Sequence, residues 1–351
     1  MPIPATPRSP RPDNLRLRTV RPSTLRSVPL LLAYAFLSAS VDVYAGHQEQ
    51  SLDPIAVGAV SFSLATLVFL VPEGIRRGWA TLRPLRTHPY EVTAINVSIA
   101  VTWLPLLFAL KVLEPAVVNA VALAVGPVLM VLLSPILRRG TSVLTTEIVA
   151  AAGILILIGV LSCGSLAGRS GVAHIAAGTA ALGLAATLLS GLGTTGSVIY
   201  SKRLSEAGYR LGEVLPIRYF LMILICWILV PAAHGQRLTA TFGPAAVIAL
   251  IGVVGPNYLV QRGLGHTEPI TVSLFQNVAP VFTCLLQLFD NRLKVSVISL
   301  AGVLGISGLV AAGVIARSRH ETRAGQRLTP ADSAPAAPGG PPTPDDTPTP
   351  G

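Results

Sequence analysis

Long apolar runs separated by short polar turns dominate the chain. Ten runs stand out: 27–46, 54–73, 91–110, 115–137, 144–162, 177–200, 213–233, 243–262, 269–289 and 295–316. A helix needs about 20 mostly apolar residues to cross a bilayer, and these runs approach or reach that length. Lipid offers the backbone no hydrogen-bond partners, so each run is predicted as a helix. The expected fold is an all-α membrane protein with ten transmembrane helices. Residues 1–26 read as a disordered basic arm. Residues 317–351 end in PADSAPAAPGGPPTPDDTPTPG, a Pro-rich tail with nothing to bury. The first run ends in Tyr44-Ala45-Gly46 and resembles the apolar part of a signal peptide. It is longer than such segments usually are, and it is predicted as an uncleaved first span.

The pattern occurs twice. Residues 110–160 and 264–310 each carry Glu-Pro (Glu114-Pro115, Glu268-Pro269), then an apolar run interrupted by proline (Pro127, Pro280). A polar turn and a Gly-rich apolar run follow. The segment before each copy has its own proline, Pro105 and Pro256. Matched interruptions in two halves predict an internal duplication. The first five-helix repeat is 27–162, the linker 163–176 and the second repeat 177–316. A proline removes a backbone donor and frees the carbonyl four residues earlier. Pro127, Pro256 and Pro280 free those of Leu123, Gly252 and Gln276, and all four prolines are expected as hinges or helix breaks.

Charge adds direction. Only 12% of residues are charged and 51% are hydrophobic, with a mean hydropathy of +0.64, where a soluble domain has about 25% charged residues. The net charge of +10 does not mark a nucleic-acid binder, because the basic residues sit at the termini and in alternate turns. With the N-terminus inside, 20 of the 26 Lys and Arg are cytoplasmic and five are outside; Arg218 lies within the seventh run. That bias predicts a multi-pass protein of the cytoplasmic membrane with both termini inside. Five spans per half then turn the second repeat upside down, giving two inverted five-helix repeats.

Candidate chemistry is confined to the runs. In the ninth, Ser273, Gln276, Asn277, Pro280, Thr283, Cys284 and Gln287 share one helical face. That face must turn inward, either to line a cavity or to bond a neighbouring helix. Asn119, Gly126, Pro127, Met130 and Ser134 echo it in the fourth, and Asn257 and Gln261 in the eighth. The expected cavity lies among spans three, four, eight and nine. Its expected substrate contacts are Asn119, Asn257, Gln261, Gln276 and Asn277, with Trp103 and Tyr258 as aromatic walls. Asp42 shares a face with Tyr34 and Ser38 and is the proton-coupling candidate, since an ionisable residue inside a span is costly and often functional. Arg218 is expected to snorkel or to pair with Glu213. The glycines of runs six and ten (Gly191, Gly193, Gly196; Gly302, Gly305, Gly308) read as helix contacts.

Soluble-type catalytic signals are missing. Cys163, Cys226 and Cys284 are isolated, and the histidines show no metal-ligand spacing. No nucleotide loop or nucleophile elbow occurs, so neither an enzyme nor a cofactor is expected. The competing classes are a membrane-embedded lipid-modifying enzyme, which would need clustered acids or histidines at one face, and a structural or sensory membrane protein.

Ala109-Leu110, Pro127, Gly153 and Gly159-Val160 in the first repeat, with Gly263-Leu264, Pro280-Val281, Gly302 and Gly308-Leu309 in the second, resemble the drug/metabolite transporter superfamily. Within it the chain is similar to the ten-span EamA type, over about 27–316. The family often has Gly-Glu after the fourth and ninth spans; here stand Arg138-Arg139-Gly140 and Asp290-Asn291-Arg292. The resemblance implies a secondary transporter that exports a small metabolite or drug-like molecule, often on a proton gradient. Its partners are then a small-molecule substrate, protons and membrane lipid, and one duplicated chain can form the pathway.

Overall fold

The computed structural model describes residues 22–132, 145–166, 176–230, 238–264, 275–290 and 296–327. Among these residues all regular structure is helical. The helices are α1 (Pro22–Gln48), α2 (Pro54–Arg77), α3 (Pro89–Val112), α4 (Pro115–Leu132), α5 (Thr145–Leu166) and α6 (Ala177–Glu206). They continue with α7 (Phe220–Leu229), the composite α8 (Leu238–Val247, Ile248–Val254 and Gly255–Leu264), α9 (Ala279–Leu286) and α10 (Val297–Arg327). Among the described residues, eight helical stretches are long and apolar enough to cross a membrane; Pro115–Leu129 and Ala279–Phe289 are shorter apolar helices. The outward residues are themselves apolar, among them Leu67, Val149, Ile156, Leu182, Ile228 and Leu250. A water-facing bundle would turn polar residues outward. The architecture is that of a multi-pass membrane protein.

Local chemistry sets the helix starts. Asp53 caps α2, its carboxylate accepting from the backbone N–H of Ile55 and Ala56 at 2.8 and 3.1 Å. Pro54, Pro89 and Pro115 open α2, α3 and α4, where a missing N–H costs nothing. The predicted loop between the second and third spans is itself helical, as Gly78–Leu82 and Arg83–Thr87.

Glycines let the helices approach closely. On α6, a Cβ at Gly193 would stand 2.5 Å from the Thr102 backbone nitrogen of α3, and one at Gly191 would stand 2.7 Å from the Ala122 carbonyl of α4. On α8, Gly252 meets Val41 of α1. Between α5 and α10 the contacts interleave: Gly153 against Leu309, Leu157 against Gly305, Leu161 against Gly302. Gly308, expected in the same contact, faces open space. Further contacts join α1 to α9, α2 to α7 and α8, α3 to α7, and α4 to α5, α9 and α10.

The matched prolines do not act alike. α3 runs through Pro105 and α4 through Pro127 without interruption. Pro256 follows a π-helical stretch, Ile248–Val254, a wider turn that takes up the missing donor and the ring clash. Pro280 follows a break: Phe275–Gln276 are helical, Asn277–Val278 form a turn, and α9 starts at Ala279. Of the two expectations for Arg218, to snorkel or to pair with Glu213, the pair is not the one Glu213 makes. Glu213 binds Arg77, at the end of α2, and accepts from the Arg210 N–H. Arg218 instead lies over the Tyr219 ring, 5.4 Å from its centre. Glu268, Ser273, Ser134, His174, His234, residues 1–21 and the tail from 328 lie outside the described residues, as do the side chains of Met130 and Gln261.

Candidate functional site

The polar face of the ninth segment turns inward, toward α1 and α4. Gln276 Nε2 donates to the Tyr34 hydroxyl at 3.2 Å, and Tyr34 also hydrogen-bonds Ser38. One level along, the Asn119 amide donates to Asp42 Oδ2 at 2.6 Å and to Thr283 Oγ1 at 3.2 Å. The Thr283 hydroxyl itself donates to the Ala279 carbonyl at 3.0 Å. An amide nitrogen has two hydrogens. Both are used here, so Asp42 stands as an acceptor at the junction of three helices.

The seam continues to one end of the bundle. The Ala116 N–H, in the first turn of α4, donates to Gln287 Oε1 at 3.4 Å. Ser299 of α10 donates to the buried Glu114 at 2.9 Å. His47 Nδ1 lies 3.3 Å from Asp290 Oδ1, and Gln50 donates to the Lys111 carbonyl at 2.8 Å. Residue numbers rise together along α1 and α9 (34 with 276, 42 near 283, 47 with 290), so these helices run parallel. Along α4 they run the other way, with 116 beside 287 and 119 beside 283.

A cavity of about 460 Å³ lies beside this seam, among α4, α5, α6, the ninth segment and α10. Its wall is mainly apolar, with Pro127, Ile154, Val198 and Val310. Polar groups come from Thr194, Thr195, Gln276 and Asn277, and charge from Glu147 and Arg317. The last two face each other, Arg317 Nη1 to Glu147 Oε1 at 3.7 Å. The break at Asn277–Val278 therefore falls where the ninth segment meets the cavity, and Pro280 leaves the Gln276 carbonyl without its helical donor.

The expected site is thus divided. Gln276, Asn277 and Pro127 line the cavity; Asn119 and Asp42 belong to the seam. Asn257 donates to the Val253 carbonyl at 2.6 Å and bonds Tyr219. Trp103 packs edge-on to Phe62 at 5.0 Å, and Phe62 leans on Tyr219 at 5.3 Å. Tyr258 is 53% exposed, and the Gln261 side chain lies outside the described residues. The expected cavity lay among spans three, four, eight and nine; the cavity described here lies among four, five, six, nine and ten. Aromatic packing fills the space around α3, and α3 itself presses against the glycine face of α6. Thr194, Thr195, Glu147 and Arg317 were not foreseen. The two charges stand near helix ends, where sequence alone reads them as interfacial.

No family model matches the chain, and no curated protein matches it. Among solved structures, it is similar to the crystal structure of a protein with 19% sequence identity and a TM-score of 0.52, over 88% of this chain and 99% of that one. At that identity the likeness shows the fold alone.

Proposed function

We propose that the chain is a secondary transporter of the cytoplasmic membrane, built from two inverted five-helix halves, that exports a small metabolite or drug-like molecule by alternating access. α4 and α9 serve as the fourth and ninth spans, α1–α5 form one half and α6–α10 the other. The observation that carries the reading is the packing. Exchanging each helix with the one five places on turns α3–α6 into α8–α1, α4–α6 into α9–α1, α2–α8 into α7–α3, and α4–α5 into α9–α10; all of these are observed neighbours. The pairs α2–α7, α4–α9 and α5–α10 map onto themselves. Within α4–α9 and α5–α10 the partners are antiparallel, as inversion requires.

Sidedness fits the same scheme. Arg77–Glu213 and Glu147–Arg317 fall at predicted inner ends, and His47–Asp290 and Glu114–Ser299 at predicted outer ends. The cavity reaches the inner end, while side-chain bonds tie α1, α4, α9 and α10 together at the outer one. This is an inward-facing arrangement, with the cytoplasm on the side of both termini. Rocking of one half against the other would expose the cavity outside. Asp42 is the proton-coupling residue in this reading. Its Asn119 bond joins α1 to α4, one contact from α9, so a proton gained there alters the contact that the rocking must break. The resemblance to the EamA type supplies the direction, export.

The test is substrate-dependent counterflow in vesicles containing the purified chain, screened against a metabolite extract. Accumulation of at least one labelled small molecule above protein-free vesicles is expected. A complete screen without counterflow, from protein that remains folded, would refute transport.

A further inference from the structure

We propose that the helical elbow Gly78–Thr87 and the end of α2 form a docking site for an anionic phospholipid, with its phosphate among Arg76, Arg83 and Arg86 and an acyl chain along α2. The site belongs to the leaflet at the C-terminal end of α2, the cytoplasmic one in the sidedness proposed above. The inference needs the membrane character of the chain but not transport.

Helix length sets the depth of the elbow. α2 has 24 residues, about 36 Å at about 1.5 Å per residue. The hydrocarbon core is about 30 Å thick, so the last turn of α2 stands at headgroup level. The chain does not run on from there into water. Gly78 ends α2 at φ +57°, a turn that favours glycine. Thr81 then donates to the Glu73 carbonyl at 3.2 Å, eight residues back. The elbow thus folds against the end of α2, and its inner face is fixed. Thr81 and Pro84 are buried, and Leu82 and Leu85 pack on the core that holds Phe62 and Tyr219. The Thr87 and Tyr209 hydroxyls share a hydrogen bond.

The outer face carries Trp79, Arg83 and Arg86, all exposed, with Arg76 exposed beside them. Arg77 is engaged by Glu73 and Glu213. The guanidinium groups of Arg76, Arg83 and Arg86 make no ion pair or hydrogen bond among the described residues. Three such groups attract an anion, and their planar forks match a phosphate.

The adjoining surface makes that anion a lipid. Leu67, Val71 and Ile75 follow at four-residue intervals on one exposed face of α2. This apolar stripe, about 12 Å long, leads straight to Trp79 and the arginines. Ile75 is 81% exposed and Trp79 87%, and a tryptophan is favoured at the membrane interface. A soluble anion would leave the stripe unused. A phospholipid covers it with an acyl chain while its phosphate meets the arginines, and basic segments beside a membrane draw anionic lipid.

The test reconstitutes the full chain in phosphatidylcholine nanodiscs. These are doped, at one low mole fraction, with phosphatidylglycerol or phosphatidylcholine brominated on the acyl chains. Bromine quenches tryptophan fluorescence at short range. Trp103 and Trp227 are the other tryptophans, so the Trp79 signal is the parent minus Trp79→Phe. The anionic lipid is expected to quench that signal at least twofold more than the neutral one. The excess should fall as salt is raised and vanish in Arg76→Gln/Arg83→Gln/Arg86→Gln. Arg83→Gln and Arg86→Gln alone should each reduce it, which covers a triple variant that fails to fold. Lys202→Gln/Arg319→Gln, which removes exposed charge from α6 and α10, should leave it intact.

Equal quenching by the two lipids overturns the proposal, and is what a face reserved for an acidic soluble protein would give. An excess that survives loss of the elbow arginines, or that the Lys202/Arg319 variant loses equally, also overturns it, because the attraction is then general to the basic end of the bundle.

Discussion

Gly193→Ala is expected to loosen the contact between α3 and α6, the join that brings the two proposed halves together. An added Cβ would stand 2.5 Å from the Thr102 nitrogen and 2.7 Å from the Ser98 carbonyl, where ordinary contact begins at 3.4 Å. Both obstacles are backbone atoms, so no rotamer change relieves them. α6 must withdraw by roughly 1 Å, and close-packed interiors resist this at a cost of about 1–3 kcal/mol. Alanine regains up to about 1 kcal/mol of helix propensity, which leaves a net loss of about 1–2 kcal/mol. Gly308→Ala is the control. Nothing lies within 4 Å of its Cβ, so it should keep only the propensity gain of up to about 1 kcal/mol. Thermal unfolding in detergent, followed by tryptophan fluorescence at one fixed scan rate, compares the two variants with the parent. The expected order of melting temperature is Gly308→Ala at or above the parent and Gly193→Ala clearly below it. If Gly193→Ala melts at or above the parent, or if both variants fall equally, the close approach of α3 and α6 is wrong.

Three further outcomes follow from the site. Asp42→Asn should abolish proton-linked transport yet leave the protein folded, because an amide oxygen still accepts from Asn119; pH-dependent uptake that is unchanged in vesicles would remove Asp42 from coupling. Asn119→Leu deletes both donors of the three-helix junction and should lower stability by about 1–3 kcal/mol, more than Asn257→Leu, whose amide donates within its own helix and to Tyr219; matched unfolding curves decide. Cys163 is exposed at the end of α5 while Cys226 and Cys284 are buried, so an impermeant maleimide applied to intact cells should label Cys163 alone, and labelling only in inverted vesicles would reverse the proposed topology.

The hydrophobic pattern located the elements well, because a lipid-facing helix must be apolar along its whole length and its span can be counted along the chain. Each of the ten predicted runs overlaps an apolar helical stretch among the described residues, those at Pro115–Leu129 and Ala279–Phe289 being the shorter ones there. The inward turn of the ninth segment was also legible: Gln276, Thr283 and Gln287 share a face in sequence and each bonds a neighbouring helix. Asp42 was visible for the same reason, as a lone acid in an apolar run.

What the chain alone left open were questions of which helix meets which. Trp103 and Asn257 read as cavity residues from their own segments, and only the structure shows their neighbours, Phe62 for the first and Tyr219 for the second. Periodicity shows which side of a helix turns inward but not what stands opposite. Glu147 and Arg317 are 170 residues apart and look interfacial until α5 and α10 are set side by side. The matched prolines make the same point. Equal chemistry at Pro127 and Pro280 leaves one helix unbroken and opens the other at Asn277–Val278, because a proline breaks a helix only where surrounding contacts favour the break. Apolarity, helix length and charge bias are properties of single segments, so the sequence determined the membrane character and the predicted sidedness. The cavity, the charged pair on its wall and the bond partner of Asp42 depend on distances between segments, and only the packed bundle decided those.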